Sequence, residues 1–147
     1  MDPDSPIVKL CVAGMRAEGE GRLAEARGLF EQAWAARRDD YEACLAAHYL
    51  ARHQPTLEAA LYWNAEALRR AEAVGDERVL GFYSSLYLNL GHSYEVLGQA
   101  VKARRYYDLA AERLDQVPDG RYGDVVRGGL DRARQRVLEM TDSQSSP

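Results

Sequence analysis

Cysteine and histidine are scarce in this sequence, and most enzyme and metal sites depend on such side chains. The two cysteines, Cys11 and Cys44, are too few and too far apart for a disulfide framework or a structural zinc site. His48 and His53 are five residues apart, which is not the four-residue spacing that places two metal ligands on one helical face. A glycine-rich phosphate loop and a recognisable nucleophile–base pair are also missing. We therefore expect no enzyme activity, no metal and no cofactor.

Long apolar runs are absent as well. No segment approaches the roughly 20 apolar residues that a membrane span requires, and the acidic N-terminus lacks the apolar core of a secretory signal. Positive charge is carried mainly by arginine, since Lys9 and Lys102 are the only lysines. The formal net charge of −4 argues against a broad nucleic-acid-binding surface, although it leaves room for a local basic face. We expect a cytoplasmic protein without membrane or nucleic-acid partners.

What the sequence does contain is a repeated motif, which is clearest in its third quarter. The motif residues, at fixed spacing, are Tyr87, Leu90, Gly91, Tyr94, Gly98, Ala103, Tyr107 and Ala110. An aromatic residue, a Leu-Gly pair and a tyrosine, followed by an alanine with an aromatic residue four positions later, resemble the tetratricopeptide repeat. That repeat is a helix–turn–helix unit of about 34 residues.

Two weaker copies precede this segment. The first contains Gly14, Gly21, Ala26, Phe30 and Ala33, and the second contains Ala47, Ala51, Ala60, Trp63, Asn64 and Ala67. The step from Ala26 to Ala60 is 34 residues, whereas the step from Ala60 to Ala103 is 43. We expect the nine additional residues, around 72–82, to lengthen the two flanking helices. Longer repeats of this kind resemble those of bacterial regulators and scaffold proteins.

The spacing of apolar residues predicts helices throughout the chain, because these residues recur at three- and four-residue intervals between glycines. Ser5 followed by Pro6 is a favourable helix start. The expected helices lie near 7–18, 23–36, 41–52, 56–74, 77–97, 100–115 and 121–140. The resemblance implies an all-α solenoid of antiparallel helix pairs, wound into a right-handed superhelix.

The resemblance also gives an expected organisation for the whole chain. A short leader would occupy 1–6, and one repeat domain would occupy 7–140. The repeats would lie near 7–40, 41–83 and 84–117, followed by a capping helix at 121–140. A stack of helix pairs exposes an apolar face at its end, so an amphipathic capping helix is physically required there. We expect a disordered tail at 141–147.

In this family, the first helix of each pair lines a concave surface that suits an extended peptide or a partner helix. The corresponding positions in the first copy are Cys11, Met15 and Glu18; in the second, Leu45, Tyr49, Arg52 and His53; and in the third, Ser85, Leu88, Asn89, His92 and Glu95. Nine of these form the predicted partner-binding set: Met15, Leu45, Tyr49, Arg52, His53, Leu88, Asn89, His92 and Glu95. The set mixes apolar and hydrogen-bonding side chains.

One subset of the family clamps the terminal carboxylate of heat-shock chaperones with lysines, asparagines and an arginine. The matching positions here lack the cations, so we do not expect an adaptor of that kind. Our main hypothesis is a protein-interaction adaptor or scaffold. The alternatives are a peptide- or ligand-sensing regulatory subunit of a bacterial system and a self-assembling, homodimeric structural protein. For Cys11 and Cys44 we favour burial over a redox role.

Overall fold

A computed structural model describes the backbone of residues 2–145 and the side chains of residues 2–140. This part of the chain is all-helical and contains no strand, which confirms the predicted all-α class. The α-helices are α1 (Pro6–Gly19), α2 (Leu23–Ala36), α3 (Asp40–Leu50), α4 (Leu57–Val74), α5 (Tyr83–Val96), α6 (Ala100–Glu112) and α7 (Arg121–Ser145). Short 3-10 segments occupy Ala51–His53, Glu77–Phe82 and Leu114–Gln116. None of the helices in the described residues has the length and apolarity needed to cross a membrane.

The chain divides into two compact units, Met1–Arg78 and Val79–Pro147. In the first unit, α1 packs on α2 and α3 packs on α4, while α3 also contacts α1 and α2. In the second unit, α5 packs on α6, and α7 packs on both of them. The first unit therefore consists of two helix pairs, and the second consists of one helix pair with α7 packed on it.

Local side-chain chemistry sets several helix ends. The Ser5 hydroxyl accepts hydrogen bonds from the backbone N–H groups of Ile7 and Val8, so it caps α1 as the sequence predicts. Gly75 has a left-handed backbone conformation, with φ of 65°, and ends α4. The helix expected at 77–97 is interrupted. Asp76 accepts the backbone N–H of Arg78 at 3.0 Å and starts a 3-10 segment, and regular α-helix begins only at Tyr83.

One packing device occurs in both units. In the first, Gly14 of α1 lies against the fully buried ring of Phe30 on α2; in the second, Gly91 of α5 lies against the fully buried ring of Tyr107 on α6. A Cβ atom at either glycine would approach the ring closer than 3.0 Å. The absence of a side chain is what allows the two helices of each pair to come so close.

Helix α7 completes the core of the second unit. Its Leu130, Ala133 and Val137 are buried with the fully buried side chains of Tyr107 and other α6 residues. The expected capping helix at 121–140 continues to Ser145, so the backbone of 141–145 is helical where a disordered tail was expected. The rest of that expectation, residues 146 and 147, lies outside the described residues.

Candidate functional site

The first unit gathers several of the predicted partner-binding residues into one cluster. The Tyr49 ring stacks on Phe30, with centroids 5.1 Å apart, and the Arg52 guanidinium lies 4.9 Å from the Tyr49 centroid. The His53 ring is also 5.5 Å from Phe30. We call Glu18, Phe30, Tyr49, Arg52 and His53 the Tyr49 cluster. In this cluster the Tyr49 ring contacts the buried ring of Phe30 on α2 and the guanidinium of Arg52, three residues later in the chain.

Glu18 holds the cluster together from α1. One carboxylate oxygen accepts a hydrogen bond from Arg52 Nη2 at 2.7 Å, and the other lies 2.7 Å from His53 Nε2. The His53 side chain is only 10% exposed, whereas that of Arg52 is 47% exposed. Arg52 is therefore the group through which the cluster presents hydrogen-bond donors to solvent.

Apolar side chains lie beside the cluster on α1. Met15 is half-buried and packs against the core residues that Phe30 joins, and Val12 is 41% exposed. Leu45, by contrast, is 6% exposed, because α3 is buried around most of its circumference. Of the residues predicted for the first unit, Met15, Tyr49, Arg52 and His53 thus lie on one surface, and Leu45 belongs to the core.

In the second unit, helix α7 already contacts part of the predicted set. Leu88 of α5 packs against the core cluster that α7 completes. Glu95 accepts hydrogen bonds from Arg136 of α7 at 3.0 and 3.2 Å and from the Tyr107 hydroxyl at 2.7 Å. The Ser85 hydroxyl is hydrogen-bonded to the hydroxyl of Tyr122, also on α7.

The remaining two residues predicted for this unit are more accessible. Asn89 is half-buried, and His92, one helical turn later, is exposed. They occupy the repeat positions of Val12 and Met15, which lie 77 residues earlier. The same turns of α1 and α5 therefore carry side chains that are left accessible, in both units.

Residues 77 positions apart occupy equivalent places in the two units, and this equivalence shows which side chains already bind another helix. Glu18 and Glu95 occupy the same repeat position, and each binds a cation on another helical segment of its own unit, Arg52 or Arg136. The predicted partner-binding set contains Glu95, which binds Arg136, and does not contain Val12, which is exposed. A comparison of Glu95 with Glu18 could have shown that both carboxylates serve packing between helices.

Burial holds two thiols and one imidazole of the first unit in their neutral forms. Burial raises the pKa of Cys11 and Cys44 to about 12, so both thiols stay protonated at neutral pH. Burial, with a smaller effect from Arg52, lowers the pKa of His48 to about 4. No group of three or more potential metal ligands occurs in the described residues.

Comparisons with known proteins identify no family for this chain. The chain matches no protein-family model, no curated protein and no solved structure.

Proposed function

We propose that the chain is a tetratricopeptide-type α-solenoid with a right-handed superhelix, acting in the cytoplasm as a protein-interaction adaptor. Two repeated contacts support the repeat assignment. A glycine on the first helix receives an aromatic ring 16 residues later, at Gly14–Phe30 and at Gly91–Tyr107. In addition, a glutamate near the end of the first helix binds a later cation, at Glu18–Arg52 and at Glu95–Arg136.

The adaptor function is supported above all by the Tyr49 cluster. Tyrosine, arginine and methionine are enriched at protein interfaces, and rigid aromatic anchors lose little conformational entropy on binding. Tyr49 is fixed between Phe30 and Arg52, and Met15 lies on the same surface. This arrangement suits a partner helix or peptide that has an apolar stripe and a few hydrogen-bonding groups.

The proposal is tested by capturing partners from the native lysate with the wild-type chain and with a Val12→Ala/Arg52→Ala variant. The matched control is Tyr62→Ala/Arg69→Ala on α4, since Tyr62 is 61% exposed and the Arg69 side chain is 66% exposed. We expect a partner that the control retains and the first variant loses. Far-UV circular dichroism verifies that all three chains remain helical. Retention of the partner by the first variant and loss by the control would move the binding surface to α4.

A further inference from the structure

The exposed side of α1 carries two cations that no other described residue neutralises. Lys9 and Arg16 are both exposed, and neither side chain makes an ion pair, hydrogen bond or ring contact with the other residues of 2–140. They are seven residues apart, so they lie on the same side of the helix, two turns apart. Most other arginines of the first unit bind carboxylates; Glu42, for example, binds Arg38, and Glu66 binds both Arg69 and Arg70.

Helix electrostatics do not explain this pair of cations. A cation stabilises the last turn of a helix, where Arg16 lies, but it is unfavourable near the N-terminus, where Lys9 lies. The first turn of α1 contains no acidic residue. A chain with a net charge of −4 therefore displays a local cationic face on its first helix.

Apolar side chains accompany these cations. Val12 lies between them on the helix surface and is 41% exposed, and Met15 lies on the adjoining side. Met15 leads to the Tyr49 cluster, where the half-exposed Arg52 presents the outward-facing donors. The surface thus has an apolar centre with cations around it. We call Lys9, Val12, Met15, Arg16 and Arg52 the α1 surface.

We propose that the α1 surface binds an acidic amphipathic helix of a partner protein. The apolar stripe of that helix would cover Val12 and Met15, and its carboxylates would pair with Lys9, Arg16 and Arg52. This inference rests on the proposed adaptor function and adds the charge of the partner to it. Complementary charge speeds association and excludes partners of the wrong sign, which an apolar surface alone cannot do.

A partner helix fits this surface better than nucleic acid does. Nucleic-acid binding is dominated by phosphate contacts from a continuous basic surface. Here the two free cations flank a valine and a methionine, and Glu18 already engages Arg52. The apolar centre would remain uncovered by a phosphate backbone, whereas an amphipathic helix covers the centre and pairs with the cations at once.

The experiment uses the full chain and fluorescein-labelled helical peptides of about 18 residues, or five turns. Two peptides share one apolar stripe and differ only in having glutamate or lysine at every polar position; a labelled DNA duplex is the third probe. Anisotropy is measured at about 50 mM and about 300 mM NaCl, because screening weakens exposed ion pairs. Three variants are compared with wild type: Lys9→Glu/Arg16→Glu, Val12→Asp, and Lys102→Glu/Arg104→Glu as a matched charge change elsewhere.

We expect wild type and the Lys102/Arg104 control to bind the glutamate peptide about tenfold more tightly than the lysine peptide at low salt. Added salt should reduce that preference, and Lys9→Glu/Arg16→Glu should reverse it. Val12→Asp should weaken both peptides. Equal binding of both peptides, lost only with Val12→Asp, would refute the acidic partner and leave the adaptor surface standing. Absence of peptide binding, or tighter binding of the duplex, would refute the partner class, while the lysate capture above decides the adaptor function separately.

Discussion

Replacing Gly14 by alanine tests the packing device on which the repeat assignment rests. The new Cβ would lie closer than 3.0 Å to three ring atoms of Phe30, a side chain with no exposed area. Overpacking of this kind costs about 1–3 kcal/mol, whereas glycine-to-alanine in a helix interior gains about 1 kcal/mol. The net expectation is a loss of about 0–2 kcal/mol in the free energy of unfolding.

Gly28 on α2 provides the matched control, since a Cβ there has no neighbour within 4 Å. Gly28→Ala should stabilise the chain by about 0.5–1 kcal/mol through helix propensity alone. Both variants gain the same helix propensity. The difference between their free energies of unfolding, about 1–3 kcal/mol, therefore measures the clash between the Gly14→Ala methyl group and Phe30.

Urea denaturation followed by far-UV circular dichroism gives both free energies of unfolding, provided the slopes agree with that of wild type. Adding Phe30→Leu should make the Gly14→Ala change less costly, because the ring atoms nearest to the new methyl group are withdrawn. Equal stability of Gly14→Ala and Gly28→Ala would show that α1 and α2 do not pack as described.

Three further outcomes follow from the ionisable groups. Hydrogen bonds from Arg38 lower the pKa of the buried Glu42 carboxyl. The ionised Glu42 should therefore stabilise the folded chain above about pH 4.5, and this contribution should be lost as the pH falls. In Glu42→Gln, the free energy of unfolding should depend less on pH on the acid side. Because burial lowers the pKa of His48 to about 4, proton NMR should show this ring neutral above about pH 5, and stability should begin to decline below about pH 6.5. The thiols of Cys11 and Cys44, with pKa values raised to about 12, should react with a disulfide reagent at pH 8 only after denaturation; fast reaction of the native chain would show that a thiol is accessible.

Much of the helical framework follows from local sequence signals. The helix expected at 23–36 is observed as Leu23–Ala36, and Ser5 with Pro6 starts α1. The spacing of apolar residues predicted a continuous helix at 77–97. This spacing does not distinguish a 3-10 segment from an α-helix, so the break before Tyr83 was not predicted. Asp76 and the glycine before it end α4 and begin a 3-10 segment, so the additional residues of the third copy lengthen α4 but not α5.

The candidate site was harder to predict than the framework. The repeat positions predicted that Tyr49 and Arg52 share one face, and in the structure the two side chains are in contact. The sequence did not reveal that α7 would contact Leu88 and Glu95, because the register between two amphipathic helices depends on packing that a single sequence does not fix. Leu45 is buried for a related reason: α3 is rich in alanine, and small side chains let neighbouring helices approach on several sides.

The dependence of the second unit on α7 has a consequence for the order of folding during synthesis. We expect the first unit, Met1–Arg78, to form before the second, because its contacts are internal and its residues leave the ribosome first. The ring of Tyr107 lacks its full cover until Leu130, Ala133 and Val137 follow. At 5–20 residues per second, Val137 follows Arg78 by roughly 3–12 s. A nascent chain that stalls within this interval would expose the core face of α6, so that face is where a chaperone or an aggregating neighbour would first act.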